Sequence, residues 1–202
     1  MIPKAAPFAN IAGTFFPSSG CGPVAGRKPD QKTGNMAETL RYGPLQNSET
    51  LHLCIDMQRL FGPGSPWAVP WIEKIRPMVK TLVAARPERT LFTRFIPPAR
   101  LDAAPGTWAR YYAQWPEILR KNLDREWLEL LPELEIYAPP AGVTDKPVYS
   151  PWHGGSLHQF LQESGITTLA STGGETDVCV LATVMGAVDL GYRVVLVSDA
   201  IC

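Results

Sequence analysis

The chain has 202 residues, 45% of them apolar, and 19 basic side chains balance 19 acidic ones. This length fits one domain with an additional tail, and the balanced charge argues against a nucleic-acid or membrane partner bound through bulk electrostatics. No apolar run reaches the roughly 18–20 residues of a membrane span. The four cysteines are sparse and unevenly spaced, unlike a secreted disulfide framework, so we expect a cytoplasmic protein.

The N-terminal segment differs in composition from the rest. Residues 1–50 are rich in Pro, Gly, Ser and Asn and have no hydrophobic periodicity. Such a segment buries too little apolar surface to offset the entropy lost on ordering, so we expect a disordered or loosely packed tail. The folded domain is then expected over residues 51–202. Met36 lies in the tail, and we hypothesise that it is the natural start; a native N-terminal peptide from before Met36 would refute this.

The first part of the domain predicts two strands joined by a helix. Residues 51–55 are short and largely apolar, which predicts a buried strand that ends on Asp56. Residues 69–85 carry apolar side chains spaced for one helical face, although Pro77 is expected to kink or split this helix. Residues 90–93 then predict the second strand.

An aromatic segment follows. Residues 94–140 contain many Trp, Tyr and Pro residues without alternation, which indicates an insertion with short helices. Four aromatic residues lie there at near-helical spacing: Trp108, Tyr111, Tyr112 and Trp115. A stripe of this kind is more often core packing than a ligand wall, so we favour packing.

After residue 142 strands and helices alternate again. The patterns predict a strand at 143–149, a helix at 156–164, a strand at 166–171, a helix at 176–190 and a strand at 193–197. Such alternation implies an α/β protein with three α/β/α layers around a parallel sheet. Ligands of such sheets bind beyond the carboxyl ends of the strands, so residues that follow strands are the first candidates for a site.

Three chemically capable side chains lie at predicted strand ends. Asp56 ends the first strand, Lys146 lies near the end of the third, and Cys179 follows the fourth. With Thr176 as N-cap, Cys179 falls in a first helical turn, where the helix dipole favours a thiolate. Each residue also has a purely structural interpretation: Asp56 as a turn cap, Lys146 as a solvated surface lysine and Cys179 as a small buried apolar residue. Together they are what nucleophilic catalysis requires.

Three segments resemble, in the same order, the motifs of isochorismatase-like cysteine hydrolases. Residues 56–61 (Asp-Met-Gln-Arg-Leu-Phe) are similar to the aspartate motif, and residues 146–152 (Lys-Pro-Val-Tyr-Ser-Pro-Trp) to the lysine motif. Residues 173–180 (Gly-Gly-Glu-Thr-Asp-Val-Cys-Val) are similar to the nucleophile motif. The resemblance covers residues 51–202 and weakens through 95–140.

The resemblance implies a fold and a mechanism. The fold is a parallel sheet of order 3-2-1-4-5-6, and because members normally continue into another helix and strand, we expect the domain to be C-terminally truncated. Asp56 would accept the thiol proton, Lys146 would stabilise the charged pair, and Cys179 would form an acyl-enzyme that water hydrolyses. The backbone N–H groups of Glu175 and Cys179 would form an oxyanion hole beside a cis peptide at Gly174–Glu175.

Departures from the family pattern narrow the expected chemistry. Nicotinamidases of this superfamily carry an Asp-x-His metal motif after the second strand, whereas residues 93–98 here read Thr-Arg-Phe-Ile-Pro-Pro. The three histidines are in unsuitable positions, so we expect no metal and no cofactor, and nicotinamide is disfavoured as substrate. Cys179 favours cleavage of a C–N bond in a small amide or carbamoyl/ureido compound. Vinyl ether hydrolysis of the isochorismatase type and an inactive binding or scaffold protein stay open as alternatives.

Four residues are candidates for substrate contacts. Arg94, at the end of the second strand, would clamp a substrate carboxylate, with a structural or surface arginine as the alternative. Phe61 and Trp152 lie inside the motifs and would form pocket walls, and Gln58 belongs to the aspartate motif. A small-molecule substrate and a homo-oligomer are the expected partners, the latter because oligomers are usual in this superfamily.

Overall fold

The computed structural model describes residues 43–202. Residues Gln46–Cys202 form one compact unit, and a second unit, Met1–Leu45, falls almost wholly outside the described residues. Most of the predicted tail, with Met36, therefore lies outside them too. Within residues 43–202, no helix combines the length and apolar character needed to cross a membrane.

Five parallel strands form a single sheet of order β3-β2-β1-β4-β5. The strands are β1 (Thr50–Ile55), β2 (Thr90–Phe95), β3 (Gly142–Lys146), β4 (Thr168–Gly173) and β5 (Arg193–Ile201). The helices are α1 (Ile72–Ala85), α2 (Thr107–Ala113), α3 (Pro132–Glu135), α4 (Ser156–Glu163) and α5 (Leu181–Asp189). The α/β class and the first five positions of the predicted strand order are confirmed.

Burial on both sides explains why the central strand is a continuous apolar run. Leu53, Cys54 and Ile55 of β1 are completely buried. Cys54 packs into the core that contains the apolar face of α1, whereas Leu53 and Ile55 pack into the core that contains residues of α4 and α5. The alternation follows from the period of two along a strand, so the sheet separates two helical layers.

The helix predicted over residues 69–85 is α1, which begins at Ile72 and runs without a break through Pro77. The expectation that Pro77 splits this helix is therefore wrong. Proline in a helix interior costs about 3 kcal/mol, whereas burying one large aliphatic side chain contributes roughly 1.5–3 kcal/mol. The helix buries four such side chains: Ile72, Ile75, Val79 and Val83. Packing on the sheet therefore outweighs the lost hydrogen bond.

Strand boundaries differ from those that the sequence predicts. β2 continues to Phe95, so Arg94 lies within the strand and not at its end. β4 covers Thr168–Gly173 and not 166–171, because Thr172 and Gly173 still pair in register with β1. β3 ends at Lys146, and β5 continues to Ile201. Polar and small residues end an apolar pattern, but pairing with a neighbouring strand continues through them.

The aromatic insertion holds α2, α3 and several short 3-10 helices. The predicted stripe packs together with Trp67 and Phe95, with ring centroids 5.6–6.5 Å apart within the cluster formed by Trp67, Phe95, Trp108, Tyr111, Tyr112 and Trp115. Tyr112 is only 2% exposed. The predicted core packing is observed, and this cluster forms a third apolar core beyond the carboxyl ends of the strands, although Trp108 and Tyr112 also line a cavity.

Candidate active site

Three predicted side chains meet at the carboxyl ends of β1, β3 and β4. The Lys146 Nζ lies 2.6 Å from the Asp56 Oδ2 and 3.4 Å from the Cys179 Sγ. Asp56 is fully buried, Lys146 is 2% exposed and Cys179 is 7% exposed. The structure therefore brings an acid, an ammonium and a thiol into contact range in a site largely shielded from water, and we call these three residues the Asp56–Lys146–Cys179 cluster.

Asp56 is held in an unusual backbone conformation. Its φ of 51° is the only positive value for a non-glycine residue in the described part of the chain. Such a conformation is costly and persists where surrounding contacts enforce it. Thr93 supplies them, since its carbonyl and its Oγ1 both accept from the Asp56 N–H, and the Thr93 Oγ1 donates to the Asp56 Oδ1 at 2.6 Å.

Thr93 was missed by the sequence reasoning. Its only sequence signal is a hydroxyl at the end of the apolar run of β2. In the sheet Thr93 lies opposite Ile55, one residue before Asp56. That register, which depends on strand pairing, makes Thr93 the residue that positions the carboxylate.

Lys146 is the last residue of β3. Its Nζ also donates to the Val148 carbonyl at 3.3 Å. Burial by itself would lower the lysine pKa, but the charges of Asp56 and Cys179 and the hydrogen bonds to them outweigh burial, so the pKa of Lys146 is raised. The ammonium therefore stays charged inside the protein.

The nucleophile loop connects β4 to α5. Gly173 has a φ of 108°, and a Cβ there would collide with the Ile55 carbonyl, so glycine is required. The Gly174–Glu175 peptide is cis, as the resemblance implies. The chain then enters a π-helical turn, Thr176–Val180, which contains Cys179 and continues into α5. Glu175, not the predicted Thr176, occupies the N-cap position.

The thiol does not have the low pKa expected from a helix N-terminus. Burial raises the pKa of Cys179 well above its usual value, and the Asp56 carboxylate raises it further. The Lys146 ammonium opposes both effects without cancelling them. Desolvation and the neighbouring carboxylate thus outweigh the dipole of this short irregular turn, and the raised pKa favours a resting thiol whose proton Asp56 would accept.

The proposed oxyanion-hole groups belong to this loop and turn. Glu175 follows the cis peptide directly, and Cys179 is the fourth residue of the π-helical turn. The turn is braced by the Thr176 N–H, which donates to the Cys202 carbonyl at 2.5 Å, and by the Thr183 hydroxyl, which donates to the Cys179 carbonyl at 2.6 Å. The role of the Glu175 and Cys179 N–H groups stays a prediction.

Gln58 and Arg94, two of the predicted substrate contacts, are engaged by the protein itself. The Gln58 side chain is fully buried, accepts from the Phe95 N–H at 2.6 Å and donates to the Leu128 carbonyl at 2.8 Å. The Arg94 guanidinium pairs with Asp145 at 2.8 Å and with Glu129 at 2.5 Å. The structure therefore favours structural roles for both side chains over the predicted substrate contacts.

Phe61 and Trp152, the predicted pocket walls, also pack within the protein. Phe61 is partly buried between two of the apolar cores. The Trp152 indole N–H donates to the Thr183 carbonyl at 2.8 Å, and its ring stacks on Tyr192 at 5.7 Å. Trp152 thus supports α5, which follows the nucleophile turn. Neither residue lines the cavities that the structure describes.

A cavity of about 540 Å³ lies beside the cluster and reaches it at Lys146. Its walls are mostly apolar and come from the segment after β2, from α2 and from the segment after β3. One lining residue is the charged Arg120, which sequence reasoning did not single out. It lies in an insertion without periodicity, so no local pattern indicates its position.

Metal-binding side chains do not gather here. Across residues 43–202, no group of three or more His, Cys, Asp or Glu side chains is arranged to hold a metal ion. The segment after β2 offers Ile96, Pro97 and Pro98, which have no metal-binding side chains. The donor set does not fit a metal of the nicotinamidase kind, and metal independence stays a prediction.

Comparisons with known proteins identify the domain. A family model described as the isochorismatase domain matches residues 50–202. No curated protein matches. Among solved structures, a cysteine hydrolase from Pseudomonas syringae pv. phaseolicola 1448A is similar, with 25% identity and a TM-score of 0.66 over 79% of this chain and 75% of that chain.

Two further structures show the same fold at lower identity. N-carbamoylsarcosine amidase from Thermoplasma acidophilum shares 20% identity and a TM-score of 0.63 over 76% of this chain and 84% of that chain. A pyrazinamidase from Pyrococcus horikoshii in complex with zinc has 24% identity and a TM-score of 0.57 over 76% of this chain and 86% of that chain. At these identities the likeness establishes the fold alone.

Proposed function

The chain belongs to the isochorismatase family of hydrolases, and we propose that it cleaves a C–N bond of a small amide or carbamoyl/ureido compound. The reaction would proceed through a covalent acyl-enzyme at Cys179 and without a metal. The observation that carries the proposal is the contact of the Lys146 ammonium with both the Asp56 carboxylate and the Cys179 sulfur.

The first half of the reaction forms the acyl-enzyme. As the Cys179 sulfur attacks the substrate carbonyl carbon, its proton passes to Asp56. The Asp56 carboxylate lies close enough to raise the pKa of the Cys179 thiol, and the Lys146 Nζ contacts both groups, which supports this transfer. The ammonium of Lys146 stabilises the negative charge shared by the carboxylate and the sulfur. The C–N bond then breaks as Asp56 returns the proton to the leaving nitrogen, which departs as an amine or ammonia.

The second half releases the acid. Water enters, Asp56 accepts one of its protons, and the oxygen attacks the thioester carbonyl. The C–S bond breaks, the sulfur recovers the proton from Asp56, and the carboxylic acid leaves. The net reaction consumes one water and yields one acid and one amine. The raised thiol pKa fits this scheme, because the proton stays available until substrate binds.

The preference for a C–N bond rests on the thiol. Vinyl ether hydrolysis does not require a sulfur nucleophile, whereas acyl transfer uses a buried thiol beside a proton acceptor. Two structural neighbours are amidases by name, although their low identity supports only the fold.

The test is mass spectrometry of the whole 202-residue protein after rapid mixing with a panel of small amides and ureas and an acid quench. We expect a mass increase equal to the acyl group of a turned-over compound, which peptide mapping then places on Cys179. Cys179→Ala should form no adduct and lose turnover, by a factor of about 10⁴ or more.

Cys21→Ser is the matched control, because it removes a thiol that lies outside the proposed chemistry. It should form the adduct at the wild-type rate. A Cys179→Ala protein that keeps full turnover would refute acyl-enzyme formation at this residue, and full activity of that variant on a vinyl ether would favour the isochorismatase-type reaction.

A further inference from the structure

The cavity beside the Asp56–Lys146–Cys179 cluster has the size of a small-molecule site. Its volume of about 540 Å³ falls within the roughly 300–1,000 Å³ typical of ligand pockets. Pro97, Trp108 and Val148 are among its apolar walls. In such a pocket the few polar groups decide which ligand is accepted, so each of them carries information about the substrate.

Among residues 43–202, the charges that line the cavity leave one positive charge without a protein partner, that of the exposed Arg120 side chain. Asp145 is held by the Arg94 guanidinium through contacts of 2.8 Å and 3.1 Å, and Lys146 is held by Asp56 at 2.6 Å. The Arg120 side chain, by contrast, has no ion pair or hydrogen bond with any residue from 43 to 202. The excess charge in the lining is therefore that of Arg120.

The backbone at Arg120 is hydrogen-bonded to the segment after β2, which also lines the cavity. The Arg120 N–H donates to the Pro98 carbonyl at 3.1 Å, and the next N–H, of Lys121, donates to the Ala99 carbonyl at 3.3 Å. These bonds set the backbone of Arg120 at the cavity. His153 also lines it but carries no negative charge, so it does not compensate the guanidinium.

Tyr112 contributes its aromatic ring to the cavity wall. The ring is fixed by Trp108, stacked at 5.8 Å, and by Tyr111 at 5.6 Å. The Tyr112 hydroxyl is buried and shielded from the cavity, so a ligand there meets the ring and not the hydroxyl. Arg120 is therefore the group in this part of the lining that distinguishes charged from neutral ligands.

We propose that the substrate is a small amide or ureido compound with a carboxylate at its non-reacting end, and that Arg120 binds this carboxylate. The apolar walls, which include the Tyr112 ring, contact the short carbon chain between the two ends. A planar guanidinium suits a carboxylate because the two form paired hydrogen bonds. This inference rests on the proposed function for the reacting end, and it replaces Arg94 by Arg120 as the anion-binding residue.

The experiment compares probes that differ only in the terminal charge. Succinamic acid is matched with butanamide, and N-carbamoyl-β-alanine with propylurea. We expect kcat/KM to favour the carboxylate member of a turned-over pair by at least about tenfold, the lower range for a charge-assisted hydrogen bond. Equal rates for the charged and neutral members, or faster turnover of the neutral ones, would overturn the proposal.

Substitutions locate the preference. Arg120→Ala should raise KM for the carboxylate probes about 10–100-fold, with kcat and the neutral probes little changed, and Arg120→Lys should restore part of the loss. Arg110→Ala, an exposed arginine of α2 in the same insertion, is the matched control and should change neither probe. An equal loss on charged and neutral probes in Arg120→Ala would refute carboxylate recognition.

A binding measurement separates this inference from the proposed reaction. Calorimetric titration of succinamic acid and of N-carbamoyl-β-alanine into Cys179→Ala should show binding that Cys179→Ala/Arg120→Ala loses. If that binding is seen without turnover in the wild type, carboxylate recognition stands and the proposed hydrolysis fails. If neutral amides acylate Cys179 and the carboxylate probes do not bind, the hydrolysis stands and the role of Arg120 fails.

Discussion

Asp145 and Lys146 are consecutive residues of β3, and each is paired with an opposite charge in a different environment. The side chains of Arg94 and Asp145 are 22% and 49% exposed, whereas those of Lys146 and Asp56 are 2% and 0% exposed. Successive side chains of a strand point to opposite faces, which sends one pair toward water and the other into the interior.

This difference in burial decides what each pair contributes. An exposed ion pair contributes about 0–1 kcal/mol, because water and salt screen it. In a buried pair the desolvation cost is offset by attraction and hydrogen bonds, and removing one partner leaves an uncompensated charge at a cost of about 3–5 kcal/mol. The outer pairs are therefore replaceable, and the inner pair is a sensitive part of the fold and of the proposed chemistry.

Lys146→Met gives the largest expected effect. It leaves the Asp56 carboxylate buried without its ammonium, so the free energy of unfolding should fall by about 3–5 kcal/mol and amide turnover should be lost. Urea denaturation followed by circular dichroism measures the first effect, and a steady-state assay measures the second. Asp56→Asn/Lys146→Met should recover part of the stability without activity. A double variant as unstable as the sum of the single variants would contradict the coupling.

Thr93→Val tests the positioning of the inner carboxylate. The substitution keeps the shape of the side chain but removes the hydroxyl that donates to the Asp56 Oδ1 at 2.6 Å. A hydrogen bond to a charged group contributes about 1.5–3 kcal/mol, so the free energy of unfolding should fall by that amount. The kcat should also fall, because the Asp56 carboxylate loses the donor that orients it, and Thr93→Ser should restore kcat. A stable Thr93→Val with an unchanged kcat would remove Thr93 from the site.

His52 lies between these two cases, because it is a partly buried titratable group whose hydrogen-bond partners are the hydroxyls of Thr90 and Thr172. Burial lowers its pKa from 6.5 to about 4. The unfolded chain therefore binds the proton first, so this contribution to stability is complete above pH 6.5 and is lost as the pH falls toward 4. At pH 5 the loss should be about 2 kcal/mol.

Urea denaturation at pH 7 and at pH 5 measures this loss. His52→Gln, which keeps hydrogen-bonding groups without titrating, should reduce the difference between the two pH values by about 2 kcal/mol. If the variant shows the same difference as the wild type, the acid sensitivity has another origin.

Arg94→Gln gives the smallest expected effect. Removing this partly exposed guanidinium should change the free energy of unfolding by less than about 1 kcal/mol, and 0.5 M salt should reduce the change further. Carboxylate and neutral amide probes should respond alike, because Arg94 is held by Asp145 and Glu129. A selective rise of KM for carboxylate probes in this variant would return Arg94 to the role of substrate clamp.

The Asp56–Lys146–Cys179 cluster was predictable because its members lie at or after the ends of predicted strands. Parallel strands present their carboxyl ends at one edge, so three local patterns and three motifs in family order are enough to bring the side chains together. The cis peptide at Gly174–Glu175 was predictable only through the family resemblance. Thr93 and Arg120 were not predictable, because their importance depends on the register of β1 and β2 and on how the insertion lies beside β3.

The sequence by itself determined the α/β class through hydrophobic periodicity, and its resemblance to a family implied the strand order and the three converging residues. Tertiary structure alone decided the continuity of α1 through Pro77, the pairing of Arg94 and the upward shift of the Cys179 pKa. The physical reason is the same in each case: burial and the identity of the contacting group set the free energy of a proline, an arginine or a thiol, and both come from residues distant in the sequence.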